Sequence, residues 1–349
     1  MFVRNCWYVA GWGRDFTAGA ITPVTLLNEP VILYRKSGGE LVALEDRCCH
    51  RLAPLSLGRQ EADDIRCMYH GLRFAPDGRC IEIPGQDRIP ASARVRAYPV
   101  VERYSCAWIW MGDPAEADEG LIPDFVGVDD PRWAMRPGRM DYDASYELVS
   151  DNLLDLSHIP YVHQNSFGGG DEGANAGFAA SEIRVIQLER GVRVSRDISH
   201  SPSPPFLRDL TGPLIDAWIS YDFLIPGVFL LRSAYYQAGA LDRGMGEGGE
   251  PLEAPVHESF TCQAVTPITD RRTCYFFGFG PRAEKAEYEE MYYQMGVKAF
   301  AEDKIMIDAQ QRLIDATANP RMLPLGMDAA TSLFRTMMER QMRKDSAAA

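Results

Sequence analysis

The 349-residue chain has no run of eighteen apolar residues, so no segment reads as a transmembrane helix. Its opening, Met1-Phe2-Val3-Arg4-Asn5-Cys6-Trp7-Tyr8-Val9, lacks the long apolar core and cleavage site of a secretory leader. The expected location is cytoplasmic. Basic charge is also short. Against 49 Asp and Glu stand 36 Lys and Arg, a formal net charge of −13, which argues against nucleic acid and anionic membranes as partners. No internal repeat or long low-complexity tract is present. Cys6, Cys49, Cys80, Cys106, Cys262 and Cys274 follow no tight spacing and read as free thiols of a reducing compartment. The length suits two domains.

Histidine is scarcer still, six residues in all, yet two of them fall beside cysteines within positions 48 to 70. Cys48-Cys49-His50 and Cys67-Met68-Tyr69-His70 are separated by sixteen residues, and each segment offers one thiolate and one imidazole. A structural zinc finger usually groups its Cys apart from its His; here the two types are mixed in each half. The set matches a Rieske [2Fe–2S] cluster, in which two Cys hold one iron and two His the other. Neutral imidazole in place of thiolate raises the potential, which suits an electron relay. The flanks agree. Leu41 to Asp46 reads as a strand entering the first loop, Ile65-Arg66 enters the second, and Gly71 to Phe74 leaves it. Asp77-Gly78 signals a hairpin before the short strand Cys80 to Pro84. Cys49 has no counterpart thiol in the second loop, so it reads as a small buried residue.

Further along, Cys106-Ala107-Trp108-Ile109-Trp110 is strand-like and is closed by Gly112-Asp113-Pro114. The Asp, Glu, Pro and Gly of residues 115–138 read as a linker. The Gly- and Glu-dense residues 238–255 read as a mobile insertion near a pocket mouth, and Lys344 to Ala349 as a frayed tail.

The second dense signal runs from Asp151 to His163. On a continuous helix Asp151, Asp155 and His158 share a face at i, i+4 and i+7. Pro160 then bends the chain and swings His163 back towards His158. Two His with one distant carboxylate make a facial triad, the ligand set of non-haem Fe(II) oxygenases. The longest helical pattern, Ala283 to Thr317, carries the candidate carboxylates Glu302, Asp303 and Asp308. Asp303 borders the buried stripe through Phe300 and Ile307. Asp308 lies about 140° further around, so only one of those two points at the iron. Pocket residues are expected from Ile215 to Phe229, Phe260 to Thr266, and Tyr292 with Tyr293. Gln263 is either a substrate contact or a satisfied sheet residue. His200 and His257 match no motif and read as surface residues.

These motifs together resemble the oxygenase component of a Rieske non-haem iron aromatic oxygenase, in the vanillate O-demethylase and dicamba monooxygenase branch. The resemblance covers essentially the whole chain. It includes Arg4 to Ala10, His50-Arg51-Leu52-Ala53-Pro54-Leu55-Ser56, Tyr69-His70-Gly71-Leu72, Asp151-Asn152-Leu153-Leu154-Asp155 with His158 and His163, and Glu302-Asp303-Lys304. The family commonly has Pro where this chain has Cys49, and often where it has Met68. The resemblance makes Cys48, His50, Cys67 and His70 the cluster ligands, His158, His163 and Asp303 the iron ligands, and Asp155 the carboxylate that links the two centres. It implies an α+β fold: an antiparallel β domain with the cluster (1–114), then a catalytic domain (115–349) whose curved antiparallel sheet grips a long helix. It also implies a homotrimer in which one subunit's cluster faces its neighbour's iron. Electrons are expected from an NADH-dependent flavin/[2Fe–2S] reductase, directly or through a ferredoxin, with O2 as co-substrate. The branch favours O-demethylation of a methoxy-aromatic acid with release of formaldehyde. Ring or methyl hydroxylation is the alternative. A Rieske electron carrier with a non-catalytic binding domain is the reading from another class.

Overall fold

A computed structural model describes the chain except for residues 164–165, 167–180, 205–206, 248 and 349, and except for the side chains of 346–348. It divides into two compact units: Met1–Ile122 with Thr266–Asp270, and Pro123–Val265 with Arg271–Ala349.

The first unit is built of short antiparallel strands in three sheets. Strand β1 (Trp7–Trp12), β11 (Cys106–Trp110) and β10 (Val100–Arg103) form one, in that order. A second has β2 (Thr22–Leu26), β3 (Glu29–Arg35), β4 (Leu41–Glu45) and β9 (Ala97–Tyr98). The third has β5 (Arg59–Glu61), β6 (Asp64–Arg66), β7 (Arg73–Phe74) and β8 (Cys80–Glu82). Ile32, Tyr34, Leu44, Leu55, Ile65 and Phe74 form a buried core that also takes in Cys48 and Cys67. The expected strands around both loops are present. Gly78 takes φ +80° at the turn between β7 and β8, where a Cβ would meet the Val95 carbonyl at 2.2 Å; only Gly fits there.

The second unit centres on a seven-stranded antiparallel sheet. Its order is β12 (Arg136–Tyr142), β18 (Arg272–Pro281), β17 (His257–Thr269), β16 (Val228–Gln237), β15 (Leu214–Leu224), β14 (Gly191–Pro202) and β13 (Ile183–Leu188). Between β12 and β13 lie helix α1 (Tyr146–Leu154) and the single turn α2 (Ile159–Val162). After β18 come the long helix α3 (Glu289–Ala316) and the terminal helix α4 (Ala329–Ala348). Helix α3 packs on β18 and β12 through an aromatic layer: Phe300 meets Phe277 at 4.8 Å and Tyr275 at 5.2 Å between ring centroids. Helix α4 packs on β14 and β13, with Phe334 edge-on to Phe223 at 4.7 Å.

Several expectations change. Residues 136–138 belong to β12, paired with β18, so the stretch read as a linker is shorter. The tail from Lys344 is helical to Ala348, because it continues the α4 pattern; Ala349 lies outside the described residues. The 238–255 region is not featureless: a helical turn at Ala240–Arg243 and a Met245–Pro251 bridge are tied by an Arg243–Glu253 ion pair. Gly248 within it lies outside the described residues.

Candidate metal centres

The two Cys/His segments fold into the same turn. The Cys48 N–H donates to the Ala53 carbonyl and the Cys48 carbonyl accepts from Leu52 N–H, at 2.8 and 2.9 Å. Cys67 repeats this with Leu72 and Gly71, at the same two distances. The fourth residue after each cysteine takes a left-handed backbone, Leu52 at φ +57° and Gly71 at φ +77°, which reverses the chain over the thiol. Both thiols point into the core, while both imidazoles stay at the exposed tip, with ring centroids 4.6 Å apart. Burial pushes the Cys48 thiol up to about 12, the backbone at His50 pulling the other way and Cys67 beside it adding to the rise. A bound cation inverts that logic, because it takes the thiolate. Two hydrogen-bonded braces hold the loops. Asp46 accepts from the Ser56 amide and hydroxyl, both at 2.7 Å. Arg66 reaches the Gly71 carbonyl at 2.7 Å and pairs with Glu61 and Glu82. Cys49 is exposed, contrary to the sequence expectation, because the turn that buries Cys48 sends its neighbour outward.

In the second unit the ligand segment is broken twice. Helix α1 stops at Leu154, and Asp155 is extended at φ −117°, ψ 92°. Its carboxylate caps the next turn by accepting from Ser157 N–H at 2.9 Å. Asp151, Asp155 and His158 therefore do not share one helical face, as expected from their spacing. Asp151 instead pairs with Arg335 of α4. Nor does Pro160 end a helix: it occupies the first turn of α2, where its missing N–H costs nothing. These breaks still bring His158 and His163 to one point, ring centroids 5.1 Å apart.

Helix α3 brings Asp303 to the same point. The ligand atoms of His158, His163 and Asp303 all lie within 4.8 Å of one another. Both Nε2 atoms stand 3.4 Å from Asp303 Oδ1. The far nitrogens are engaged elsewhere. His158 Nδ1 bonds to the Asp155 carbonyl at 2.7 Å, and His163 Nδ1 to Glu302 at 3.1 Å. Such contacts fix the tautomer that leaves Nε2 for a cation. Glu302 also accepts from Ser166 Oγ at 2.6 Å, and Asn152 donates to Asp303 at 3.1 Å. Burial raises the Asp303 pKa against the pull of the two imidazoles, and lowers that of His158 against the pull of Asp303. Asp308 faces away and accepts from Asp143 N–H and Lys304. Sequence reasoning named Asn152 within its motif and Glu302 as a ligand candidate, but gave neither its supporting contact. The adjacency of Glu302 and Asp303 on one helix was the available signal.

This group forms part of the wall of an otherwise mostly apolar cavity of about 180 Å³. From the expected spans, Ile215, Ala217, Ile219, Phe229, Thr261, Gln263 and Tyr292 line it. Tyr293 stacks by Phe277 under Arg136 instead. His257 corrects a further expectation. It is buried, because its β17 position faces the helix, and Nε2 bonds to Tyr292 Oη at 2.6 Å. His200 is exposed, as expected.

A profile for the Rieske [2Fe-2S] domain matches residues 6–99, and one for the Vanillate O-demethylase oxygenase C-terminal domain matches residues 142–344. The chain belongs to the Rieske non-haem iron oxygenases. It is 37% identical, over 99% of both chains, to the iron-sulfur subunit of a toluene-4-sulfonate monooxygenase system of Comamonas testosteroni. It is 36% identical to the oxygenase component of dicamba O-demethylase of Stenotrophomonas maltophilia, over 89% of this chain and 88% of the other. The crystal structure of dicamba monooxygenase bound to 3,6-dichlorosalicylic acid superposes with a TM-score of 0.84, at 32% identity and 99% coverage of both. Rieske oxygenases of this kind are monooxygenases with a [2Fe–2S] cluster and a mononuclear iron, and use O2 with NADH-derived electrons from a separate reductase or ferredoxin. The donor chemistry fits both groups: two buried thiols and two imidazoles at one tip, and a buried His-His-Asp group with open space beside it. No helix among the described residues is long and apolar enough to cross a membrane.

Proposed function

We propose that this oxygenase component hydroxylates a C–H bond of an aromatic substrate, and that the reaction is O-demethylation of a methoxy-substituted ring. The observation that carries the reading is the buried His158–His163–Asp303 group in the wall of an apolar cavity. Cys48, His50, Cys67 and His70 hold the cluster in this reading, and His158, His163 and Asp303 hold the iron. When bound, the cluster supplies single electrons and the iron supplies O2 activation at positions left open by three protein ligands. The chain does the rest. Leu153, Ile219, Phe229 and Phe300 exclude water and hold the ring against the metal group. Glu302 and the Asp155 carbonyl orient the two imidazoles. Hydroxylation of a methoxy methyl gives a hemiacetal, which collapses to a phenol and formaldehyde.

The chain acts as a homotrimer in the cytoplasm, fed by an NADH-dependent flavin/[2Fe–2S] reductase, with or without a ferredoxin. Asp155 joins His158 to His70 of a second copy. Its carboxylate already sits one residue from the turn that carries His158, and a buried guanidinium, Arg196, faces it electrostatically. The test has two arms. Purified protein with reductase, NADH and O2 should release formaldehyde from methoxylated aromatics in step with O2 uptake. Hydroxylated products without formaldehyde would shift the reading to ring or methyl hydroxylation. In the second arm, Asp155→Asn should keep both metals while oxidation of the pre-reduced cluster by O2 and substrate becomes very slow. Wild-type rates at full iron occupancy would rule out the bridge.

A further inference from the structure

We propose that the substrate held in this cavity is an uncharged ring bearing an N–H or O–H donor, rather than a carboxylate or sulfonate; the inference rests on reading the cavity as the substrate site. The lining is set by strand alternation. Strands β15, β16 and β17 turn Ile215, Ala217, Ile219, Phe229, Leu231, Ser233, Ser259, Thr261 and Gln263 into the cavity, all odd-numbered, in matched register across β16 and β17. The basic residue of β16, Arg232, is even-numbered. It faces the other way and is paired with Glu258 and Glu250.

No Lys or Arg lines the cavity among the described residues. The residues outside the description, 164–165, 167–180, 205–206 and 248, contain none in their sequence. Two cationic candidates sit on the same side of the sheet, and neither is part of the lining. Arg196 of β14 is hydrogen-bonded to Tyr221. His257 stands behind Tyr292, and burial, with Lys285 adding, lowers its pKa and disfavours the charged ring. Away from the metal group, an anion placed here loses its water without gaining a Lys or Arg partner, which is unfavourable.

Apart from the metal group, the polar side chains of the lining are neutral, among them Ser201, Ser233, Tyr235, Ser259, Thr261 and Gln263. Gln263 carries the sharper information. It is 3% exposed, and its Oε1 finds no hydrogen-bond partner in the protein. A buried acceptor is costly to leave unpaired, so the ligand or a water it displaces must donate there. A carboxylate or sulfonate only accepts. Turning the amide over lets its NH2 meet the anion, at the cost of moving the Oε1 to where the NH2 now lies. A carboxamide, anilide or phenol supplies the donor, and a carboxamide uses both ends of the Gln263 amide.

The experiment is equilibrium binding to the anaerobic, iron-loaded enzyme, so that affinity is read without turnover. The probes are two pairs matched in shape: 4-methoxybenzamide with 4-methoxybenzoate, and toluene-4-sulfonamide with toluene-4-sulfonate. The neutral member should bind at least ~10-fold more tightly in each pair. Gln263→Leu should narrow that gap by ~10-fold while leaving the affinity for methoxybenzene within about twofold. A panel in which no neutral member binds more tightly than its anionic partner overturns the proposal, and the wild-type comparison decides this even if the variant fails to fold. Formaldehyde release is scored separately, so failure of the charge preference is distinguishable from failure of the demethylation reading.

Discussion

The two candidate metal-ligand sets are built by opposite strategies. The Cys/His set lies within twenty-three positions of sequence, and each half is one turn with the same two backbone hydrogen bonds. The His/His/Asp set joins a broken segment near residue 160 to a helix some 140 residues later, and no local pattern repeats. A local site is held by its own turns and needs only a small core beneath it. A site assembled from distant segments depends on the packing of the elements that carry it, here α3 on β18 and β12. Local sites should therefore fail outright when a ligand is lost, while distant ones should leave the surrounding fold intact.

The largest contrast should come from Cys67→Ala. The cluster's visible and EPR signals should disappear, with all turnover, and a hole is left in the first unit's core, where Cys67 is 1% exposed. Retention of a His-ligated cluster spectrum would break the reading of this loop. His163→Ala should be equally fatal to turnover but milder to the protein. Iron should drop from about three to about two per chain with the cluster spectrum unchanged, measured by metal analysis alongside EPR.

The third contrast separates two acids on one helix. Asp303→Ala should lose the mononuclear iron. Asp308→Ala should keep it, at a cost of ~1–2 kcal/mol from the unpaired Asp143 amide and Lys304, read by metal content and denaturant melts. Iron loss in the second variant alone would move the ligand along the helix. The smallest effect sharpens how the distant site is held. Glu302→Gln should weaken iron binding ~10- to 100-fold, measured by chelator competition, with no change in the cluster potential. Unaltered affinity would reduce Glu302 to a bystander of His163.

The same contrast explains what could be read in advance. The convergence of Cys48, His50, Cys67 and His70 was legible because mixed thiol and imidazole at short spacing has few other uses. Strands β4, β6 and β11 were legible as short runs rich in apolar and β-branched residues bounded by turn signals. The convergence of His158 and His163 was also foreseen, but by the wrong route. Spacing at i, i+4 and i+7 cannot report that Asp155 leaves the helix to cap Ser157. Pro160 marks a start as readily as a stop. His257 was misplaced because burial on a strand depends on which face the helix covers, and that is decided by α3, not by the residues beside it. Cys49 was misplaced because the turn that closes on Cys48 through Leu52 and Ala53 decides which of two adjacent thiols faces inward.

The β2–β3 hairpin has a consequence for taking the molecule apart. Its turn residues, Leu27 and Asn28, both have left-handed backbones, and their amides donate to the carbonyls of Pro267 and Ile268 at 2.9 and 3.0 Å. Those acceptors lie at the end of strand β17, far along the chain, yet they count with the first unit. The iron–sulfur portion is therefore not a severable module. A gene fragment ending at residue 122 would carry all four candidate cluster ligands and still leave out the carbonyls that hold the β2–β3 turn.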